Sequence, residues 1–275
     1  MSIITFWKDT KKETGQSLSV SALATYITIN YNYRILIIDT KYGDSTIVDA
    51  FWQPGKRKTI FSTEGKVELG TGMASLSKAI TSNKVKAETM TNYAKVIFKD
   101  RLELLNNENI IYEDYLEQRS MHESIIKMAN QFYDLVFVDL EGTIDDLIVE
   151  NILKDSDIIV PTMTQKLMEI KSFINARAKY KVMRQDKEIA LVGRYDKYSK
   201  YTIKNMARAT KIKDLYAIPY NTWMFEAANE GQLDDYFIKY RNAKSPSNPN
   251  SDIIKSVESI AYRIIEKLKE MENNL

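Results

Sequence analysis

Short apolar runs rich in β-branched residues recur along the chain, at residues 3–7 (IITFW), 34–39 (RILIID), 134–139 (DLVFVD), 157–161 (DIIVP) and 189–193 (IALVG). Runs this short, apolar on both sides and mostly closed by a polar or turn-forming residue, are the pattern of strands buried on both faces of a parallel sheet. Between them, residues 17–31, 113–132, 144–153, 166–183 and 202–210 mix apolar and polar positions at spacings suited to helices packed on that sheet. The alternation predicts an α/β fold: a doubly wound, mostly parallel sheet with helices on both faces, forming one domain over residues 1–275. Pro, Ser and Asn cluster at residues 243–252 (AKSPSNPNSD), which reads as a loop rather than a domain boundary. Beyond it Ile253, Val257, Ile260, Ile264, Leu268 and Met271 form one apolar stripe. That stripe suits either a helix packed on the sheet or an amphipathic helix touching a membrane or a partner; Glu258, Glu266, Glu270 and Glu272 dilute the basic face that a membrane helix needs.

Composition narrows the chemistry. With 39 Lys and Arg against 37 Asp and Glu, and 44% hydrophobic residues, the chain has the balance of a folded globular protein. The absence of cysteine removes disulfides, thiol nucleophiles and cysteine-ligated zinc or iron–sulfur centres, and fits a cytoplasmic home. A single histidine, His122, lies in a polar helical context (RSMHES) with no nucleophile motif beside it, which argues against Ser-His-Asp catalysis. The opening MSIITFWKD has no basic region before its apolar run and reads as a strand rather than a signal peptide. Membrane contact is expected to be peripheral at most. Trp7, Trp52 and Trp223 read as packing residues, and the Tyr- and Lys-rich residues 195–205 as an amphipathic surface or a nucleic-acid contact.

The informative segment is ITFWKDTKKETGQSLSVSALATYI: a strand, a polar loop containing Lys8, Lys11 and Lys12, then a helix that opens on small residues. This is the layout of a phosphate-binding loop, in which backbone N–H groups and a helix N-terminus cradle phosphates, a lysine reaches them and a hydroxyl holds Mg²⁺. The segment resembles the deviant Walker A loop, KGGxGKT, of the ParA/MinD family of P-loop ATPases. Lys11 stands at the signature lysine, Gly15 at the last glycine, Gln16 at the Walker lysine and Ser17 at the Mg²⁺ ligand. Four further features follow in register: RILIIDTKYGDS resembles the second strand and its DxDxQ box, YDLVFVDLEG the Walker B strand, DIIVPTMTQ the strand that ends in proline, and AIPYNTWMFEAANEGQ the late IPxN segment.

The resemblance implies a site for ATP and Mg²⁺ built from Lys11, Lys12, Gly15, Gln16, Ser17, Asp39 and Asp139, with Ser17 and Asp139 as metal ligands and no residue assigned to catalysis. It also implies a homodimer in which Lys11 reaches across to the second subunit. The departures fall on the chemistry. Gln16 brings hydrogen bonds without charge, Glu13 replaces a glycine, Gly193 stands where the family often has a base-reading Asn, and Lys41 replaces the aspartate that positions the attacking water. Lys8, Lys11, Lys12 or Lys41 supplies the missing positive charge, or these lysines are solvated; Asp39 and Asp139 hold nucleotide or cap nearby loops; Ser17 holds Mg²⁺ or caps the first helix. The expected function is a positioning protein with little or no ATP hydrolysis, carrying a protein cargo. Pilus or secretion machinery is the expected cargo, because the stretch around KDRLELLNN and YEDYLEQ reads as helix-rich like the TadZ/CpaE branch. The alternative is an active partition ATPase that binds DNA nonspecifically.

Overall fold

The central strands are buried along almost their whole length, and successive side chains point to opposite faces, so each strand feeds two cores. The computed structural model describes residues 1–9, 12–44, 46–53, 72–82, 85–107, 110–183 and 185–273. Its strands are β1 (Ser2–Trp7), β2 (Ile35–Asp39), β3 (Lys95–Phe98), β4 (Leu102–Leu105), β5 (Leu135–Leu140), β6 (Ile158–Met163), β7 (Ala190–Tyr195) and β8 (Leu215–Pro219). They form one sheet in the order β3-β4-β2-β5-β1-β6-β7-β8, parallel throughout except for the edge pair β3–β4. The doubly wound, mostly parallel α/β architecture is as the sequence pattern predicts.

The helices are α1 (Gln16–Asn30), α2 (Thr46–Phe51), α3 (Gly72–Thr81), α4 (Tyr112–Arg119), α5 (His122–Ala129), α6 (Leu147–Asp155), α7 (Leu167–Lys179), α8 (Ile203–Thr210), α9 (Thr222–Asn229), α10 (Leu233–Tyr240) and α11 (Ser251–Glu272). Ile4, Phe6, Ile35, Ile37 and Phe137 point to the face covered by α1, α2, α9, α10 and α11. Ile3, Trp7, Leu36, Ile38, Val136 and Val138 point to the face covered by α3, α5, α6, α7 and α8. The stripe of α11, with Ile253, Val257, Ile260 and Ile264 fully buried, is therefore a core face of the sheet and not a membrane surface. No helix among the described residues is long and apolar enough to cross a membrane.

The crossovers place the site. After β1 the chain crosses by α1 to β2; after β5 it crosses by α6, on the opposite face, to β6. These two connections leave the neighbouring strands β1 and β5 in opposite directions, and an open α/β sheet has its binding crevice at the carboxyl ends of the strands at such a reversal. Helix α1 lies under α10 and α11 and is buried on nearly every side, which its small residues permit. Ser19 and Ser21 donate their hydroxyls to the carbonyls of Gly15 and Ser17, four residues back, so burial leaves neither unsatisfied.

Several expectations need correction. Residues 113–132 are two helices, because the backbone tightens after Gln118: the Ser120 and Met121 N–H groups donate to the Glu117 and Gln118 carbonyls, three residues back. The helix expected at 144–153 begins at Leu147, where Asp146 caps it by accepting from the Ile148 N–H at 2.9 Å. Within KDRLELLNN, Leu102–Leu105 is not helix but strand β4, enclosed between β2 and β3. Its Glu103 is buried and paired with Arg34 at 3.3 Å and with the Tyr133 hydroxyl, so an acidic residue sits inside the sheet without an unpaired charge. Trp7 is buried as expected, whereas Trp223 is 54% exposed and packs no core.

His122 is buried in the first turn of α5, edge-on to Tyr115. Burial first, and the Arg119 guanidinium second, push its imidazole down to about 4. The unfolded chain takes up a proton near the ordinary value of about 6.5, which the folded protein declines until about 4, so the contribution of His122 to stability is lost as pH falls through that window. We predict that the stability of the wild type relative to His122→Leu drops by about 3 kcal/mol between neutral pH and about pH 4 in urea titrations. A pH-independent difference contradicts the neutral, buried imidazole.

Candidate functional site

The loop that leaves β1 reaches α1 through Gly15, whose φ of 80° lies in the left-handed region that favours glycine. Gly15 occupies the N-cap, no side chain caps the helix, and the first turn carries no acidic residue. The first N–H groups of α1 have no intrahelical acceptor, and the helix dipole adds partial positive charge there. Ser17, the second helical residue, is thereby excluded as the cap. The loop is pressed on β7 at Gly193, where a Cβ would stand 2.1 Å from the Thr14 carbonyl oxygen. Glycine at 193 is thus a steric requirement of the loop's seat.

Gln16 turns away from the cleft and down into the sheet. Its Nε2 donates to the Phe6 carbonyl at 3.2 Å, the Leu140 carbonyl at 3.2 Å and Asp139 Oδ1 at 2.5 Å. Its Oε1 accepts from the Thr162 hydroxyl at 2.7 Å, and Thr14 lies 3.2 Å from that hydroxyl. The amide is 2% exposed, and its two N–H bonds are shared among three acceptors, which leaves no donor for a ligand. Thr14 and Thr162 complete this floor, and nothing in their local sequence announces it.

Above the floor, four side chains meet. The Lys41 ammonium donates to the Ser17 hydroxyl and to Asp139 Oδ2 at 2.5 Å, and lies 3.3 Å from Asp44 Oδ2. Lys41 is 5% exposed; it is not solvated. Its backbone is fixed on both sides, the N–H donating to Asp39 Oδ1 at 3.2 Å and the carbonyl accepting from the Asn107 amide at 3.3 Å. Burial opposes the charge on Lys41, but Asp139, Asp39 and Asp44 outweigh it and raise the ammonium above its ordinary value. Asp39, paired across the strands with Asp139, is pushed well up by burial and by that neighbouring carboxylate, against the pull of Lys41. Because the folded value of Lys41 is raised, its contribution to stability is complete at neutral pH and is lost only when the medium becomes alkaline beyond the ordinary lysine value.

Beside this cluster opens a cleft of about 670 Å³. Gly15–Ser19, Lys8 and Arg194 line it together with Pro219, Tyr220, Asn221 and Phe225. Tyr220 and Phe225 contact each other at 6.0 Å between ring centroids. Arg194 faces Glu13 at 3.3 Å, an exposed pair worth little by itself. The structure therefore brings Gly15, Gln16, Ser17, Asp39 and Asp139 together, while Lys12 is on the surface and Lys11 lies outside the described residues. His122 does not line the cleft; Tyr115 stands between it and the lining residue Tyr42.

No protein-family model matches the chain, and no curated protein matches it. Solved structures do. A ParA family ATPase from Chlorobium tepidum TLS superposes with a TM-score of 0.69 at 17% identity, over 95% of this chain and 97% of that one. The fold is that of the ParA/MinD P-loop ATPases. The cell division ATPase MinD of Pyrococcus furiosus gives 0.67 at 12% identity, over 98% of this chain and 100% of that one. The septum site-determining protein MinD of Pyrococcus horikoshii OT3, complexed with Mg-ADP, gives 0.65 at 12% identity, over 96% and 95%.

Removing the Lys41 ammonium strands the Asp139 carboxylate in a buried place. We predict that Lys41→Met costs about 3–5 kcal/mol of folding stability and that adding Asp139→Asn recovers a large part of it, as read by chemical denaturation. A cost below about 1 kcal/mol for Lys41→Met would mean that the pair is solvent-screened.

Proposed function

We propose that this chain is a ParA/MinD-type positioning protein that binds a nucleoside phosphate and hydrolyses it poorly or not at all. The observation that carries this reading is the cleft that begins at the uncapped N-terminus of α1, in a fold shared with ATPases, one of them complexed with Mg-ADP. Its volume suits a nucleotide, since small-molecule sites span about 300–1,000 Å³. Backbone N–H groups, Lys8 and Arg194 receive phosphates, and the exposed rings of Tyr220 and Phe225 in the same lining offer an aromatic surface to a base.

Poor turnover follows from two side chains. Phosphoryl transfer depends on positive charge at the phosphates and on a group that orients the attacking water. Gln16 is committed to the sheet floor, and Lys41, an acid-for-base replacement in the family's terms, cannot accept a proton from water. Homodimerisation belongs to the same reading. Tyr42 and Tyr112, 40% and 52% exposed, pack ring to ring at 5.2 Å beside the cleft, and give a second subunit an apolar contact. The stretch that suggested pilus machinery contains β4, so the cargo is left to the surface rather than to that resemblance.

Calorimetric titration with ADP and with ATP tests the reading. Saturable binding of both is expected, weakened at least about tenfold by Gly15→Val, which strains a left-handed residue and crowds Arg194. Phosphate release is expected to stay at background with or without DNA. A rate that rises with DNA and vanishes in Asp139→Ala would instead establish the partition ATPase.

A further inference from the structure

A divalent ion in this fold needs the hydroxyl and carboxylate of Ser17 and Asp139, and both are already engaged. Asp139 gives Oδ1 to the Gln16 amide and Oδ2 to the Lys41 ammonium, while the Ser17 hydroxyl also meets that ammonium. Neither carboxylate oxygen faces open space, Asp139 being fully buried. A metal and an ammonium cannot share the position: their volumes overlap, and like charges a few ångströms apart repel strongly in a buried site. Among the described residues no group of three or more His, Asp or Glu side chains could hold a metal ion elsewhere. The residues present therefore do not fit Mg²⁺ as arranged.

We propose that Lys41 is a built-in replacement for the divalent ion, its ammonium permanently filling the cation position between Ser17 and Asp139, so that the cleft takes its nucleoside phosphate as the free anion. Lys41 suits this role because it is anchored at both its N–H and its carbonyl and enters from the end of β2, opposite α1. An ammonium is a compact cation with donors for a hydroxyl and carboxylates, but it has no open coordination position and cannot bridge phosphate oxygens as a divalent ion does. The charge of the ligand is then met by Lys8, Arg194 and the α1 N-terminus, all of which line the cleft. The same contact joins the start of α1 to the ends of β2 and β5 without any ligand. The preference for free nucleotide rests on the function proposed above; the exclusion of metal does not.

Two measurements on the full chain separate these claims. In the first, Mn²⁺ is titrated with and without ADP and followed by electron paramagnetic resonance. The wild type is expected to bind no Mn²⁺ that Asp139→Asn abolishes, and Lys41→Ser to gain one Mn²⁺ site that is lost again with Ser17→Ala. Mn²⁺ binding by the wild type that depends on Asp139 overturns the proposal, as does a folded Lys41→Ser that gains no site; should Lys41→Ser not fold, the wild-type comparison decides alone. In the second, ADP affinity is measured in Mg²⁺ and in EDTA. The wild type is expected to bind ADP more tightly in EDTA than in Mg²⁺, because Mg²⁺ in solution withdraws the free anion, and a loss of about tenfold or more in EDTA overturns the proposal. Absence of ADP binding in both buffers removes the nucleotide reading, while the Mn²⁺ result still decides the metal.

Discussion

A buried ammonium held by a carboxylate and a hydroxyl is the constraint around which this site is arranged. Lys41, Asp139 and Ser17 come from three different elements, and their contact fixes the relative positions of β2, β5 and α1 at the mouth of the crevice. Burying a lone charge is costly, and burying a matched pair is tolerable only when the remaining polar atoms are satisfied. Here they are: Gln16 takes the second oxygen of Asp139, Thr162 takes the carbonyl of Gln16, and Asp39 receives the Lys41 N–H. The departure at position 16 and the departure at position 41 thus act on the same carboxylate, one on each oxygen. A glutamine in place of a lysine lowers the positive charge at the site by one, and a lysine in place of an aspartate more than restores it from the opposite side.

The scaffold turns this local chemistry into a cleft. Crossovers that leave β1 and β5 in opposite directions open the crevice, and Gly193 lets the Thr14 backbone settle on β7 so that the helix behind it starts at the right height. What remains for a ligand is a polar floor, an uncapped helix end and a rim of exposed aromatic rings. On the function proposed above, such a site holds phosphate and lacks the parts that drive its transfer.

Much of the fold was legible because its strands are buried on both faces. Runs such as RILIID and DLVFVD leave no other place for so many β-branched residues. The β3–β4 edge was not, since β3 is only half buried and LELL reads as readily as helix; Glu103 is tolerable in a strand only because Arg34 and Tyr133 arrive from elsewhere in the chain. The break in residues 113–132 turns on two backbone bonds that no side-chain pattern encodes. At the site, the family resemblance singled out Gly15, Gln16, Ser17, Asp39 and Asp139, which lie together in the fold, yet it could not give direction. That Gln16 points into the sheet and Lys41 into the cluster depends on Thr162 and Asn107, both distant in sequence. The exposed Trp223 makes the same point, because residue type alone assigns it to a core.

A crystal structure of the protein grown with ADP and Mg²⁺ tests the central claim most directly. Density for the Lys41 Nζ is expected between Ser17 Oγ and Asp139, with no metal at that point. An octahedral ion at about 2.0–2.1 Å from the Ser17 and Asp139 oxygens, with Lys41 displaced, would contradict it.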